Sequence, residues 1–288
     1  MRATLPILSI LASCGAPGTA SSLNDVAHGA WSAPIEPFRI VGNLYYIGAQ
    51  NISSFLFATP EGLIVVDTGS PEMIPVVRRN IEKLGFHVGD VKILLSGHAH
   101  WDHVGGHAAM KRASGAQVMA LGDDATAIER GTDMSPSASE GWEPVHVDRI
   151  LHDGDTVELG GTKLEAVWAP GHTPGCTVWT AEVVEADRPY RVAMFACMEP
   201  SGDVKLVDNP RFPDLVEQTR STFRKLRRLH PEFALLVHPA EQLEGKLPQL
   251  RAGVRPSPLD DPTAWGRFLD DSEAELQRRV GAESAHRH

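Results

Sequence analysis

Apolar residues along the chain fall into short runs with β-strand character and longer stretches with helical spacing. Between residues 40 and 69, alternating or continuous apolar positions broken by turn residues predict three successive strands: IVGNLYYIG, ISSFLFA and GLIVVDTG. The segment PEMIPVVRRNIEKLGF has helical spacing, with Ser70 as its predicted N-cap and Gly85 as its stop. VKILLSG then predicts a buried strand, and HVGGHAAMKRAS predicts the helix after it.

The same alternation continues to the end of the chain. Further strands and helices are predicted in this order: strand AQVMA, a polar helix from Asp123, strands within residues 146–171, a hairpin over 176–197, helix DLVEQTRSTFRKLRRL, strand FALLVH and a helix from Thr263 to Val280. Strands in runs interrupted by helices indicate an α+β protein, with sheets packed together and helices outside. Since no linker divides the chain, we expect one domain over residues 21–288. The long loop 131–144 is expected to be functional or mobile.

The hairpin contains the two cysteines that lie beyond the N-terminal segment. If its turn centres on Ala186 and Asp187, the register of the two strands places Cys176 directly opposite Cys197. Directly opposed residues lie about 4.5–5.5 Å apart at Cα, within reach of a disulfide. A Cys176–Cys197 bridge is therefore expected in an oxidising compartment, whereas a shift of one residue in register would leave two buried thiols.

The N-terminus has the features of a secretory signal. Arg2 is followed by a short apolar stretch and then by small residues, so we expect a signal over residues 1–20 and a periplasmic protein. A second possible cleavage point precedes Cys14, because LASC resembles a bacterial lipobox and would leave Cys14 as a lipid anchor.

Charge and hydropathy limit the classes of partner. The formal net charge of −10 argues against a nucleic-acid partner, which would require clustered Lys and Arg. No stretch is long and apolar enough to span a bilayer. We therefore expect neither a nucleic-acid partner nor a transmembrane span.

Four metal-binding side chains lie within six residues of one another in HAHWDH, directly after the predicted strand VKILLSG. In an extended segment His98 and His100 point the same way, so both can reach one ion. Asp102 and His103 fall where the backbone turns into a helix, and they face a neighbouring position. The motif therefore offers two ligands to each of two metals.

Two later strand ends supply further histidines. His172 follows strand TKLEAVW in APGHTPGC, and His238 ends strand FALLVH. Either one alone would more often be a structural histidine. Since the carboxyl ends of strands gather ligands, three such ends predict a two-metal site.

The segments VVDTG, HAHWDHVGG, APGHTPGCTVW and LLVHPAE, in this order, resemble the metallo-β-lactamase superfamily. This resemblance implies a four-layer αββα sandwich of two facing mixed sheets with helices on both outer sides, in a chain that we expect to be a monomer. It also implies two zinc ions. The first is bound by His98, His100 and His172, and the second by Asp102, His103 and His238. Asp67, in VVDTG, would position the ligand loop.

The residue at the end of strand VAMFA separates the branches of this superfamily. Thioesterases of the glyoxalase II kind and lactonases carry an aspartate there that bridges the metals, whereas this chain has Cys197 and no carboxylate before Glu199. With the expected export, this difference favours the class B β-lactamases, and the Asp102–His103 pair resembles their subclass B3. The resemblance implies antibiotic resistance through hydrolysis of penicillins, cephalosporins and carbapenems. An exported lactonase or thioesterase, and a zinc-binding lipoprotein without activity, remain the alternatives.

The resemblance also implies where substrate would bind and how it would react. AWSAPIEPFRI matches a segment that overhangs the site, so Trp31 and Phe38 are expected in the substrate groove. The usual hydroxyl-bearing residues are replaced by MEP. The remaining candidates for substrate contacts are Met198, Glu199, Ser201 and Lys205. A metal-bound hydroxide would attack the lactam carbonyl, with Asp102 as the catalytic group that orients it and passes a proton to nitrogen.

Overall fold

The computed structural model describes residues 31–136, 141–195, 199–202 and 204–285. The predicted signal over 1–20, Cys14, Cys197 and Met198 lie outside these residues. Two β-sheets pack face to face, and helices cover the outer face of each sheet. The predicted four-layer α+β sandwich is therefore confirmed.

The first sheet has seven strands, which follow one another in chain order. They are β1 (Phe38–Val41), β2 (Leu44–Tyr46), β3 (Phe55–Thr59), β4 (Gly62–Val66), β5 (Val91–Leu95), β6 (Gln117–Leu121) and β7 (Arg149–Leu151). Strands β1 to β4 are antiparallel, and β4 to β7 are parallel. The carboxyl ends of β4, β5 and β6 therefore meet at one edge.

The second sheet has five strands in the order β12-β11-β10-β9-β8. They are β8 (Thr156–Leu159), β9 (Thr162–Trp168), β10 (Thr177–Glu185), β11 (Arg188–Phe195) and β12 (Phe233–Leu236). Only β11 and β12 pair in parallel. The ends of β9 and β12 carry the segments with His172 and His238.

Eight helices lie within the described residues. They are α1 (Ile74–Lys83), α2 (Trp101–Val104), α3 (His107–Ser114), α4 (Gly122–Arg130), α5 (Leu215–Leu226), α6 (Ala240–Leu243), α7 (Leu247–Arg251) and α8 (Ala264–Ala285). None of them is long and apolar enough to cross a membrane. The last helix extends five residues beyond its predicted end at Val280.

The apolar runs of the first sheet are continuous because both of its faces are covered. In β4, Ile64 and Val66 face the second sheet, whereas Leu63 and Val65 pack beneath the helices of the first layer. All four side chains are almost fully buried. A strand covered on two sides requires apolar residues at successive positions, which explains the run GLIVV.

The hairpin of β10 and β11 has the predicted turn and register. Ala186 and Asp187 occupy the turn with φ of 51° and 64°, as a two-residue turn that matches the twist of the strands requires. Val178 pairs with Phe195 and Glu185 with Arg188, which is the register that would oppose the two cysteines. Cys176 is buried. Because Cys197 lies outside the described residues, the bridge remains a prediction.

The helix boundaries agree with the prediction in part. Ser70 is an N-cap, but of a 3₁₀ turn over Pro71–Met73 that leads into α1, and its side chain makes no capping hydrogen bond. The helix predicted over residues 103–114 is divided at Gly105 and Gly106, where a side chain would collide with Pro71 and Ile74. These glycines let the short helix α2 pack against the start of α1. Gly85 ends α1 with φ of 86°, as expected.

Candidate metal centre

The segment between β5 and α3 delivers four of the predicted ligands to the sheet edge. His98 and His100 lie in its extended part, and their ring centroids are 4.7 Å apart. Asp102 and His103 lie on α2, as the sequence predicted. The segment is fixed to the second sheet by Trp179 of β10, whose Nε1 donates to the Ser96 carbonyl at 2.9 Å.

His98, His100 and His172, the first ligand group, lie together as predicted. Their ligand atoms all lie within 4.8 Å of one another, and all three side chains are buried. His172 Nε2 is 3.1 Å from His100 Nδ1. Nitrogens this close, pointing into a shared space, suit coordination of one ion.

The second ligand group is Asp102, His103 and His238. Asp102 Oδ2 lies 3.3 Å from His103 Nε2 and 3.6 Å from His238 Nε2. His98 lies between the two groups, since its ligand atom is also within 4.8 Å of those of Asp102 and His103. The six predicted ligands therefore surround one continuous space at the edge of the two sheets.

Four of the five histidines have an oxygen acceptor beside the ring nitrogen that faces away from this space. His172 Nδ1 lies 3.0 Å from the Glu199 carbonyl, and His238 Nδ1 lies 2.8 Å from the Asn51 carbonyl. His103 Nδ1 lies 3.2 Å from Asp67 Oδ2. His100 Nε2 lies 3.3 Å from Asp133 Oδ2 and 3.0 Å from Ser135 Oγ. Such acceptors fix the tautomer that leaves the opposite nitrogen free to bind metal.

Asp67 has the position predicted for it at the end of β4. Its Oδ1 accepts from the Gly97 amide at 2.7 Å, and its Oδ2 faces His103. Its φ of 60° is left-handed, a region that Asp and Asn enter more readily than most residues. The carboxylate therefore holds the ligand segment at two points.

Burial and neighbouring charges set the protonation states at the centre. Burial lowers the pKa of His98 well below its usual value and that of His100 to about 3, with the nearby imidazoles acting in the same direction. Burial opposes ionisation of Asp102, but the charge and hydrogen bond of His103 outweigh it and lower the pKa of that carboxyl. Conversely, Asp102 and Asp67 raise the pKa of His103 despite its burial. The first ligand group is therefore neutral near pH 7, and Asp102 is ionised.

These residues fit a divalent metal ion. Both ring nitrogens of His98 are buried without a hydrogen-bond partner. Buried polar atoms are rarely left in this state without a ligand. Imidazole nitrogens with a single carboxylate are a donor set that suits zinc.

Sequence reasoning missed several residues that organise the centre. Asp124, on α4, accepts from both ligand-bearing loops, and Asp133 and Ser135 come from the long loop 131–144. Asp124 and its neighbour Asp123 look like ordinary acidic residues at a helix start, so no local signal distinguishes the buried one. His107, on α3, is fully buried behind the ligand segment, with Nδ1 2.7 Å from Thr68 Oγ1.

The predicted substrate residues of the N-terminal segment have different positions. Trp31 is 37% exposed, and its ring centroid lies 5.5 Å from that of His238, so it forms one wall beside the second ligand group. The prediction for Phe38 was wrong. Phe38 is buried in β1 and stacks on Tyr46 at 5.1 Å, because its position in the strand faces the second sheet.

The loop from Glu199 onward borders the centre through its backbone. The Glu199 carbonyl contacts His172, but the charges that act on its carboxyl are those of Glu275 and Arg279 on α8. Burial, followed by Glu275, raises the pKa of Glu199 to about 7. The expected contact of this carboxyl with substrate stays a prediction.

Helix α8 holds this loop through two side chains. Arg279 donates to the carbonyls of Pro200, Ser201 and Val204 at 2.5, 2.9 and 2.9 Å. The Glu283 carboxylate accepts from the amides of Leu206 and Val207, each at 2.9 Å. Ser201 is half-buried and Lys205 is exposed in this fixed loop.

The family model described as the metallo-β-lactamase superfamily matches residues 47–238. The chain belongs to the metallo-β-lactamase superfamily. It is a hydrolase of that superfamily, and its family and histidine-rich site imply a bound divalent metal.

Curated relatives include hydrolases of two descriptions. A probable metallo-hydrolase of Burkholderia pseudomallei is 30% identical over 36% of this chain and 35% of its own length. A hydroxyacylglutathione hydrolase of Cereibacter sphaeroides is 26% identical over 75% of this chain and 81% of its own length. In the first three such relatives, the matched segment spans between about a third and a half of the curated protein.

Similar solved structures are class B β-lactamases. The FEZ-1 metallo-β-lactamase from Legionella gormanii is 32% identical with a TM-score of 0.83, over 88% of this chain and 98% of that one. BJP-1, a subclass B3 enzyme of Bradyrhizobium japonicum, is 32% identical with a TM-score of 0.82, over 91% and 100%. The predicted resemblance to the class B enzymes, including subclass B3, is confirmed.

Proposed function

We propose that this protein is a dizinc β-lactamase that opens the four-membered amide ring of penicillins, cephalosporins and carbapenems. The arrangement of carboxylates carries this proposal. Among the described residues, Asp102 is the only carboxylate in the groups that could bind metal. Thioesterases of the glyoxalase II kind carry a second aspartate, which bridges the metals, at the end of the strand that corresponds to β11. Its absence in the sequence favours the β-lactamases.

The two ligand groups would each hold one zinc ion. His98, His100 and His172 would bind the first, and Asp102, His103 and His238 the second. Bound there, zinc would supply a Lewis acid for the lactam carbonyl and would acidify water towards neutral pH.

Asp102 is the group that this chain offers for proton transfer. Its Oδ2 lies among the second ligand group, and its low pKa keeps it ionised near pH 7. A carboxylate so placed can orient the attacking water through a hydrogen bond. It can also take a proton from that water and deliver it to the lactam nitrogen as the C–N bond breaks.

Binding of the substrate would use the surfaces on either side of the ligands. Trp31 supplies an apolar wall beside His238. The loop held by α8 lies beside His172 through Glu199, and it carries Ser201 and the cation of Lys205. We propose that this loop binds the carboxylate group that β-lactam substrates have in common. The side chain of Met198 belongs to the same proposal but lies outside the described residues.

Thioester hydrolysis is the second candidate, because several curated relatives are hydroxyacylglutathione hydrolases. A direct comparison decides between the two. We expect zinc-dependent turnover of a penicillin and a carbapenem, abolished by a chelator, to exceed that of an acylglutathione thioester. Greater turnover of the thioester or of an acyl lactone would establish the alternative, and no turnover of any of them would leave a metal-binding protein without hydrolytic activity.

The location of the protein is part of the proposal. The N-terminal sequence supports export to the periplasm, with cleavage after Ala20 or a lipid on Cys14. The mass of the mature N-terminal peptide distinguishes a free terminus from a diacylated cysteine. An uncleaved cytoplasmic chain would contradict export.

A further inference from the structure

The first ligand group is assembled from two loops that belong to different sheets. His98 and His100 follow β5 of the first sheet, and His172 follows β9 of the second. Both loops must be held at a fixed separation for the three imidazoles to meet. Asp124, which is neither a ligand nor part of either sheet, contacts both of them.

The Asp124 carboxylate accepts three hydrogen bonds. Its Oδ2 accepts from the Ala99 amide at 2.9 Å and from the Thr173 hydroxyl at 2.6 Å. Its Oδ1 accepts from the Gly175 amide at 2.7 Å. Ala99 lies between His98 and His100, and Thr173 directly follows His172. One carboxylate therefore ties the residues adjacent to all three ligands of the first group.

The packing around Asp124 shows that this contact is tight. A side chain at Gly175 would place its Cβ 2.5 Å from the Leu121 carbonyl oxygen and 2.7 Å from both the amide nitrogen and the Cβ of Asp124. Only glycine allows the His172 loop to approach the start of α4 so closely. The position of α4 and the path of the loop are therefore coupled.

The carboxylate is buried at an energetic cost. Asp124 is 2% exposed, and burial raises its pKa to about 6 in spite of the three donors. No cation is among its hydrogen-bond partners in the described residues. A neutral or apolar residue would avoid this cost if the position served packing alone.

We infer that Asp124 is a positioning residue that fixes the separation of the two ligand loops, and thereby sets the metal affinity of the first ligand group. The inference rests on the metal-binding part of the proposed function and does not depend on the substrate.

Asp124→Asn is the informative substitution. An amide can accept through only one of its two terminal atoms, so its NH₂ group must face at least one of the donors from Ala99, Thr173 and Gly175. One loop is then released while the side-chain volume is kept. The neighbouring Asp123 is exposed on the same helix, so Asp123→Asn is a matched control.

Zinc affinity is measured by competition with a chromophoric chelator in two backgrounds. His238→Ala weakens the second ligand group and leaves the first, and His172→Ala does the reverse. We expect Asp124→Asn to lower zinc affinity about 10- to 100-fold in the His238→Ala background, in line with the loss of outer partners at other metal sites. In the His172→Ala background we expect a change below about threefold. Asp123→Asn should change neither.

A purely structural role for Asp124 would give a different result. It would lower the melting temperature of the metal-free protein and weaken both ligand groups equally, which would overturn the inference. Unchanged zinc affinity in both backgrounds would overturn it as well.

Thr173→Val keeps the inference testable if Asp124→Asn does not fold. It removes one donor and retains the carboxylate, and it should weaken the first ligand group by a smaller factor. Equal effects on both groups, or no effect, would contradict the inference. Because these measurements concern metal alone, failure to hydrolyse β-lactams would leave their outcome unaffected.

Discussion

Replacement of Asp67 by Asn tests how the second ligand group is prepared for metal. Asp67 is 1% exposed and accepts from Gly97 and His103 through its two oxygens. The Asn amide would direct NH₂ at one of these donors. If it faces His103 Nδ1, the imidazole must move its proton to Nε2, which is the atom beside Asp102. That proton blocks coordination, so metal affinity should fall.

The magnitude follows from the loss of one outer partner. Such losses typically weaken metal binding 10- to 100-fold, which is about 1.4 to 2.7 kcal/mol. The left-handed backbone at residue 67 suits Asn as well as Asp, so backbone strain should contribute little. The expected effect therefore comes from the tautomer of His103 and falls mainly on the group that contains it.

Stepwise zinc dissociation constants, measured by chelator competition, provide the assay. Asp67→Asn should weaken the binding step that belongs to the group containing His103 and leave the metal-free melting temperature nearly unchanged. Asp187→Asn is the matched control, because Asp187 is exposed at the hairpin turn with a similar φ of 64°. Two zinc ions bound by Asp67→Asn with wild-type affinity would refute the reasoning.

Two further substitutions test the loop beside the centre and the buried histidine behind it. Arg279→Ala removes the donors to three loop carbonyls and should raise KM for a β-lactam about tenfold, roughly 1.4 kcal/mol, with zinc content unchanged. His107→Gln should flatten the pH dependence of unfolding of the metal-free protein. Burial lowers the pKa of His107 from 6.5 to about 4 in the folded protein, so as pH falls the unfolded chain takes up a proton on this histidine first. Between these two pH values, the free energy of unfolding of the wild type should therefore fall by about 1.4 kcal/mol per pH unit more than that of the variant.

Each of these expectations has a clear contrary result. Arg278 is adjacent to Arg279 but pairs with Glu275 on the surface, so Arg278→Ala should leave KM unchanged. Equal effects of the two arginine substitutions would remove the role assigned to α8. Parallel free energies of unfolding for wild type and His107→Gln, measured by urea denaturation from pH 6.5 to 4, would contradict a neutral buried His107.

Features set by local pattern could be predicted from the sequence. The run GLIVVDTG was predicted to be a strand, and the turn predicted at Ala186 and Asp187 gave the register of the hairpin. The ligands of HAHWDH could be assigned because four metal-binding residues in six positions rarely coincide by chance. His172 and His238 followed from their positions at strand ends.

Features set by contacts between distant segments could not be predicted. Asp124 meets Thr173 and Gly175 about fifty residues away, and Arg279 meets carbonyls almost eighty residues away. Nothing in their neighbouring residues indicates these partners. Phe38 was misplaced because a single resemblance in the N-terminal segment did not determine which face of β1 it occupies.

The zinc content of the purified protein tests the central claim most directly. Mass spectrometry under non-denaturing conditions, after reconstitution and removal of excess metal, should give two zinc ions per chain. His172→Ala and His238→Ala should each retain one. One zinc in the wild type, or two in both variants, would contradict a centre built from these two groups of ligands.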